Sequence, residues 1–500
     1  MKTHDFKRHG SKQVGSMGMR ILFPASLLAG LMILGSGGAL AQSLSAERLN
    51  GLPSRLNFGA GTVRLDGMGG FEASVADENL QINLNDFSLN PAGYGDDKES
   101  WIVELRYGHQ ELTERDPRTP GNDIFVNEGA FQGGYYRPGK FGAGAQINFA
   151  DVNTRTANFG DDTNAFEIMA ARFVANAYVL PSLTVGADFI FSGESEEVGT
   201  SSLYNINHEA STMRGALGVA WIPLEGITLG AKGQIISSSV EGTSSGDFHT
   251  DTFDWSRPGG QVSLHGFIDR SIVKLGVDYR REEINGDESV RISWSEKFIF
   301  NPGPESVTGT LNTFSEKRET DVFRARLMVD VTSSLALSAA TTIGSEAVDV
   351  KSNPNAIGSR VAHELSSDVT TFPGGASWKL LESRLLVAAE VKVSSSDSDL
   401  LFEEETFTGT LDATTFRLGG EYFLGEAIMG RLGLVLRNDD FVNSVEEDLN
   451  GSYATTKLAV GLGIVPKGGI LRVDLALDTV LDSDLDNKET AVSGYIRQLF

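Results

Sequence analysis

Histidine and acidic side chains are the groups in this sequence best suited to metal binding. The chain has seven histidines, and the five that follow a basic leader are His109, His208, His249, His265 and His363. None of the five is spaced from another as zinc ligands are. The acidic run 482–486 resembles the start of a calcium loop, but Asn487 stands in place of its glycine and Ser493 in place of its glutamate. We therefore predict no metal site and no cofactor.

Ser263 and His265 are the one serine–histidine pair that suggests catalysis. Residues two apart share one face of a strand, so both side chains are expected in the same interior. A serine nucleophile needs a histidine base and an orienting acidic group, and the sequence identifies no acidic partner. The nucleophile motif G-x-S-x-G is also absent. A barrel hydrolase is conceivable, but we interpret the pair as polar lining and predict no enzyme.

The elements that would position such side chains repeat one pattern, which is clearest in residues 453–482. Alternate residues are apolar in 457–464 and again in 471–478, while the residues between them carry charge or glycine. Period-two alternation is the signature of a strand. The turn 466–469 is rich in proline and glycine, so the two strands form a hairpin.

The N-terminal residues 1–41 are predicted to be a secretory signal peptide. A basic start precedes the apolar stretch 21–34, and Ala39-Leu40-Ala41 is an A-x-A cleavage site. An uncleaved membrane anchor is the alternative. The chain has no cysteine and a formal charge of -25, so its stability does not depend on disulfides and nucleic acid is a poor partner.

Residues 101–500 are predicted to form an all-β, antiparallel, up-and-down barrel in the bacterial outer membrane. Eight tight turns alternate with longer polar connections, as in such barrels. They are expected at 138–140, 181–182, 223–226, 269–271, 332–334, 381–383, 424–427 and 466–469. These turns join sixteen strands, and one strand at each end gives eighteen, with fourteen or sixteen as alternatives. The longest connection is expected at 283–318, with its own strand-like piece at 290–300.

The two faces of the predicted strands differ in the same way along the chain. Apolar residues such as Leu275 and Leu327 are assigned to the lipid face, where a charge near the midplane costs about 2–4 kcal/mol. The charges assigned to the lumen are Arg106, Lys232, Lys274, Arg280, Arg324, Arg326, Arg472 and Asp474. Several soluble sandwiches would show the same alternation, but no linker divides the chain into such units.

The final residue, Phe500, ends an alternating strand and resembles the sorting signal of outer-membrane barrels. The expected partners are therefore the barrel assembly machinery, outer-membrane lipid and lipopolysaccharide. A small hydrophobic ligand is a further candidate.

Residues 42–100, which we call the hatch segment, lack sustained alternation. The residues Gly67-Met68-Gly69-Gly70, Ala76-Asp77-Glu78 and Asn90-Pro91-Ala92 resemble motifs that precede the first barrel strand in the FadL-type and PorV-type outer-membrane superfamily. The resemblance implies that the segment folds into the barrel, with Gly67, Met68, Gly69, Gly70, Asp77, Asn90 and Pro91 in structural roles. Barrels of that superfamily have fourteen strands, unlike the eighteen predicted here.

The resemblance implies two functions, and the residues leave a third open. A FadL-type barrel would take up small hydrophobic molecules passively, and this is the leading prediction. A PorV-type barrel would instead be a non-conducting partner in protein export. A lipid conduit needs an apolar pocket, whereas the predicted lumen is charged, so a general porin is the third possibility.

Overall fold

A computed structural model describes the barrel and parts of the hatch segment. The described residues are 62–66, 68, 70–75, 90–94, 100–113, 123–156, 162–200, 204–246, 249–295, 306–352, 362–402, 405–444, 451–466, 471–483 and 488–499. The predicted signal peptide and Phe500 lie outside them. Within these ranges, no helix is long and apolar enough to cross a membrane.

Strands make up nearly all of the described structure. The hatch segment contributes the helix α1 (Thr62–Asp66) and a 3-10 turn (Pro91–Tyr94). The strands β1 to β18 are, in order, Ser100–Thr113, Asp123–Arg137, Phe141–Thr156, Asp162–Leu180, Leu183–Thr200, Tyr204–Leu224, Ile227–Gly246, His249–Arg270, Val273–Ser295, Ser306–Asp330, Leu335–Ser352, Ala362–Leu380, Leu385–Phe402, Glu405–Phe423, Ile428–Asn443, Gly451–Ile464, Leu471–Ser483 and Lys488–Leu499.

The eighteen strands form one closed antiparallel barrel. Each strand pairs with its neighbours in sequence, and β1 closes the ring by pairing with β18 from Ser100–Leu499 to Glu111–Lys488. Closure leaves no unpaired edge, which is the condition for a sheet to span a membrane. The predicted fold and the count of eighteen strands are confirmed.

Short turns lie at one end of the barrel, together with the start of β1 and the end of β18. Ser100 pairs with both Tyr136, beside the first tight turn, and Leu499. At the turn after β6, Gly226 has a φ of +72°, and a Cβ there would overlap the carbonyl oxygen of Asp269. Short turns mark the periplasmic side of outer-membrane barrels.

The outer surface of the barrel is apolar. Outward-facing side chains include Leu217 at 72% exposure, Ile235 at 75% and Phe141 at 76%. Many inward-facing side chains are polar and buried, as Asp278 of β9 and Asp474 of β17 show at 0% exposure. An apolar exterior around a closed sheet places the protein in the outer membrane, since such a surface is stable only against lipid.

Much of the longest expected connection is instead regular sheet. Residues 283–318 are predicted to be a polar connection with a strand-like piece at 290–300, but β9 continues to Ser295 and β10 begins at Ser306, and the two strands pair along this length. A polar sequence was taken for a connection because the strands are longer than the membrane requires, and β10 has 25 residues. Such a strand rises about 60 Å at about 3.3 Å per residue and a tilt of about 40°. The apolar band is only about 25 Å tall, so backbone pairing continues where neither face needs to be apolar.

Candidate functional site

The described parts of the hatch segment lie against the inward face of the barrel wall. The helix α1 ends in a tight turn, in which the amides of Met68 and Gly70 donate to the carbonyl of Leu65 at 2.9 and 2.7 Å. Gly70 has a φ of +72°, a conformation that glycine adopts without strain. Of the GMGG motif, Met68 and Gly70 therefore form the C-terminal cap of a helix, while Gly67 and Gly69 lie outside the described residues.

An apolar contact follows this turn. Leu65, Met68, Phe71 and Val75 are all buried and pack against Ala388 of β13. Gly419 of β14 permits the close approach, because a Cβ there would overlap the carbonyl oxygen of Met68. A second contact joins Val63 to Ala476 and Tyr495 of β17 and β18.

A buried carboxylate on the wall holds the backbone of residues 72–74. Glu390 of β13 accepts hydrogen bonds from the amides of Glu72 at 3.0 Å, Ala73 at 2.7 Å and Ser74 at 2.8 Å, and from the Ser74 hydroxyl at 3.1 Å. Arg417 of β14 donates to the same carboxylate at 2.9 Å. Successive amides around one anion form a strong, charge-assisted contact.

The side chain of Glu72 adds two ion pairs to this contact. It accepts from Lys392 at 2.8 Å and from Arg417 at 2.9 Å. Burial acts to raise the pKa of Glu72, but the charges of Lys392 and Arg417 outweigh it and hold the pKa below its ordinary value. Glu72 is therefore bound as a carboxylate.

Arg326 of β10 completes the seat of residues 72–75. Its Nη2 donates to the carbonyl oxygens of Ala73 at 2.8 Å and Val75 at 2.9 Å. Wall groups therefore satisfy both the donors and the acceptors of this backbone, from β10 on one side and from β13 and β14 on the other. We call residues 72–75 the docked turn.

A chain of ion pairs links α1 to four further strand positions. Arg64 donates to both carboxylate oxygens of Glu421, at 3.1 and 3.0 Å. Glu421 also pairs with Arg431 at 2.7 Å, and Arg431 pairs with Asp474 at 2.6 Å. Arg472 donates to Asp474 at 2.6 Å. Arg431 is fully buried, so the chain is a fixed element of the interior.

The Asn90-Pro91-Ala92 motif occupies a second seat on the opposite arc of the wall. Asn90 Oδ1 accepts from the Ala92 amide at 2.9 Å, which closes an Asx turn. Asn90 Nδ2 donates to the carbonyl of Val219 at 2.8 Å and lies 2.9 Å from His265 Nε2. Asn90 is completely buried.

Glycines on three strands make room for this motif. A Cβ at Gly186 of β5 would overlap Pro91, and one at Gly218 of β6 would overlap Asn90 Oδ1. A Cβ at Gly230 of β7 would meet the ring of His265 and the Asn90 amide. The wall is therefore shaped to the motif by the absence of side chains, and Ala92 packs on Ala220 beside it.

Five of the predicted lumen charges have described partners, some of them in the hatch segment and others on the wall. Arg326 binds the docked turn, and Asp474 and Arg472 belong to the ion-pair chain of Arg64. Arg106 pairs with Glu104 of its own strand at 2.6 Å, and Arg324 pairs with Asp278 at 2.8 Å. Lys232, Lys274 and Arg280 lie on the inward faces of β7 and β9. Asp77 is outside the described residues.

Ser263 and His265 are both buried in the interior, at 1% and 6% exposure. The hydroxyl of Ser263 has no hydrogen-bond partner among the described residues, so it is not bonded to a base. His265 instead faces Asn90 of the hatch segment. Within the described ranges, no group of three or more histidine or acidic residues is arranged to hold a metal ion.

The main contacts of the hatch segment were not predicted. Alternation places Glu390 and Lys392 on the polar face of their strand, but their partners in the hatch segment lie more than 300 positions earlier in the chain. The partners of Glu421, Arg417 and Arg431 could not be predicted from the sequence either. Alternation gives the face of a residue, and no local signal gives its partner.

No protein-family model and no curated protein sequence matches this chain. Among solved structures it is similar to the P. putida toluene transporter TodX, with 12% identity, a TM-score of 0.38 and coverage of 88% of this chain and 99% of that one. A Pseudomonas aeruginosa FadL homologue shows 12% identity, a TM-score of 0.39 and coverage of 89% and 100%. The ferric yersiniabactin uptake receptor FyuA from Yersinia pestis shows 9% identity, a TM-score of 0.45 and coverage of 81% and 80%.

Proposed function

We propose that the chain is a passive transport protein of the outer membrane, in which displacement of the hatch segment lets small molecules through the barrel. The observation that carries this proposal is the polar character of the docked turn, which Glu390, Arg417 and Arg326 hold through hydrogen bonds and ion pairs. When the turn is released, these bonds are replaced by bonds to water, so each stabilises the docked state by a net of about 0.5–3 kcal/mol. A segment held in this way is released without unfolding the barrel.

The proposed solute is small and hydrophobic. Apolar side chains of the wall lie beneath α1 and the docked turn, where Ala388 and Leu386 form one patch and Ala476 and Tyr495 another. Displacement of the hatch segment would uncover these patches to the lumen. Concave apolar surfaces with a few polar groups at their margin are what small hydrophobic ligands bind.

A non-conducting barrel with a permanent plug is the competing function. The ion-pair chain of Arg64 favours it, since Glu421 and Arg431 are almost fully buried. Removing one partner from a buried pair costs about 3–5 kcal/mol, which disfavours separation. An export-partner or structural barrel would retain this plug in every state. The two functions therefore differ in whether the hatch segment moves.

An engineered disulfide tests the movement directly. Ala92 and Ala220 pack against each other, which makes them a suitable pair for a cross-link between the hatch segment and the wall. The chain has no cysteine of its own, so Ala92→Cys/Ala220→Cys forms one defined disulfide. We expect slow uptake of the fluorescent hydrophobic probe N-phenyl-1-naphthylamine by cells with the oxidised variant. Reduction should restore the wild-type rate.

The single-cysteine variants provide the control for the substitutions themselves. A second arm deletes residues 64–93, which is expected to leave an assembled barrel with raised conductance in planar bilayers. Equal probe uptake by the fully oxidised and the reduced variant would refute displacement of the Ala92 turn. If wild type and deletion are both folded and neither passes ions or the probe, the non-conducting barrel is the correct function.

A further inference from the structure

The inward faces of β7, β8 and β9 present an ordered array of polar side chains that takes no described part in hatch binding. Lys232 pairs across the sheet with Ser263, and Ser263 pairs with Arg280. The next row toward the extracellular side is Gln234, Gln261 and Glu282 in the same order. We call these six residues the polar grid.

The grid is buried although it is made of polar groups. Lys232, Ser263, Gln234 and Glu282 are each at most 8% exposed. The outward residue between them on β8, Val262, is 56% exposed. Burying charged and amide groups inside a protein is unfavourable unless they have partners. Any grid atom without a partner among the described residues is therefore a candidate to bind a ligand.

Several donors at the grid have no acceptor in the described part of the chain. These are Ser263 Oγ, Gln234 Nε2 and the Nε atom of Arg214, which lies on the adjacent strand β6. Arg214 is 6% exposed, and its Nη1 lies 3.9 Å from Glu282. One acceptor, Glu282 Oε1, is also without a partner in the same set of residues. The unused groups are thus mainly donors, with one acceptor beside them.

Three of the four charged side chains that act most strongly on Lys232 are cations, and Glu282 of the grid adds a further anion. The charged side chains that act on it most strongly are Arg280, Arg172, Arg214 and Asp188. Asp188 is the one anion of the four, and it already forms a buried ion pair with Arg172. Buried like charges repel in an interior of low dielectric constant, and a bound anion relieves that repulsion.

The grid lies directly beyond the Asn90 seat. Its neighbouring row contains Gly230, His265 and Asp278, and His265 contacts Asn90. The hatch motif therefore borders the grid on the periplasmic side. Along this part of the wall, a ligand that enters from the extracellular end would reach the grid before it reaches the Asn90 seat.

We propose that the polar grid binds a small hydroxylated organic acid. The carboxylate of the ligand is held by Lys232, Arg280 and Arg214 and accepts hydrogen bonds from Ser263 and Gln234, while a ligand hydroxyl donates to Glu282 Oε1. Cationic groups with neutral donors around them match a carboxylate. This goes beyond the transport function proposed above, because a barrel that conducts nothing would still bind the acid.

Binding is tested by calorimetry on the full, folded protein in detergent, with sodium gluconate as the probe and glucose as its uncharged counterpart. We expect gluconate to bind and glucose not to bind. Lys232→Met should weaken gluconate binding by about tenfold or more, since a charge-assisted hydrogen bond is worth about one such factor or more. The matched control is Lys274→Met, which removes an inward-facing lysine outside the grid and should leave affinity unchanged.

A second variant covers the case in which Lys232→Met does not fold. Ser263→Ala removes one unused donor and no charge, and should also weaken gluconate binding. A difference in gel mobility between heated and unheated protein verifies that each variant is folded. Absence of gluconate binding to wild type, or equal loss in Lys274→Met and Lys232→Met, would overturn the proposal. Binding of sulfate without binding of gluconate would overturn the assignment to an organic acid.

Discussion

Replacing Glu390 by glutamine should release the docked turn. One oxygen of this carboxylate accepts from the amides of Ala73 and Ser74, and the other accepts from the Glu72 amide and from Arg417. Every one of these partners is a donor. Glutamine keeps the size of the side chain but turns one of the two oxygens into an NH2 group. The cationic Arg417 favours the orientation that leaves it the carbonyl oxygen, so the amides of Ala73 and Ser74 are the two donors that lose their acceptor.

The size of the effect follows from those two donors. A buried donor without an acceptor costs about 1–3 kcal/mol, so two of them cost about 2–6 kcal/mol. The pair of Glu390 with Arg417 lies within the wall, so its weakening affects the docked and the released state alike and is left out of this sum. At about 1.4 kcal/mol for each factor of ten, the docked turn should be released about a hundredfold more often.

Amide hydrogen exchange measures this release at the bonds concerned. The amides of residues 72–74 should lose about two orders of magnitude of protection in Glu390→Gln, because exchange follows the free energy of local opening. The control is Glu104→Gln, which removes a buried carboxylate paired with Arg106 and makes none of the described hatch contacts. Unchanged protection of residues 72–74 in a folded Glu390→Gln barrel would show that Glu390 does not hold the turn.

Acidification should weaken binding of the docked turn, and adding one methyl group to the wall should weaken binding of the Asn90 turn. The pKa of Glu72 is lower when docked than its ordinary value of 4.5, so docking is fully favoured above pH 4.5 and weakens as the pH falls through the lower value. Hydrogen exchange of the docked turn against pH checks this, and a full pH dependence in Glu72→Gln would contradict it. At the other seat, Gly218→Ala should expose the Asn90 turn to exchange and proteolysis, because its Cβ would overlap Asn90. Gly215→Ala on the same strand meets no atom and should leave the seat unchanged.

Alternation in the sequence predicted the architecture well because it reports a constraint that acts on every strand. The lipid face must be apolar and the lumen face need not be, so Leu327 and Arg326 differ in the predicted way. The constraint ends at the membrane surface, which is why the sequence predicts only one strand-like piece past Glu283 and not the continuous extension of β9 and β10. Hydrophobic pattern and backbone pairing are separate properties, and only the first is visible in the sequence.

The seats of the hatch segment could not be predicted for a different reason. Arg326 and Arg324 have the same residue type on the same face of β10, yet Arg326 binds the docked turn and Arg324 pairs with Asp278. Only the register of the neighbouring strands and the path of the hatch segment separate them. The glycines are a stronger signal in principle, because a strand interior without a side chain is unfavourable unless another backbone approaches closely. Gly218 lies between the apolar residues Leu217 and Val219, so alternation alone predicts that it faces inward. A glycine in that position marks a place where a second segment can approach the wall.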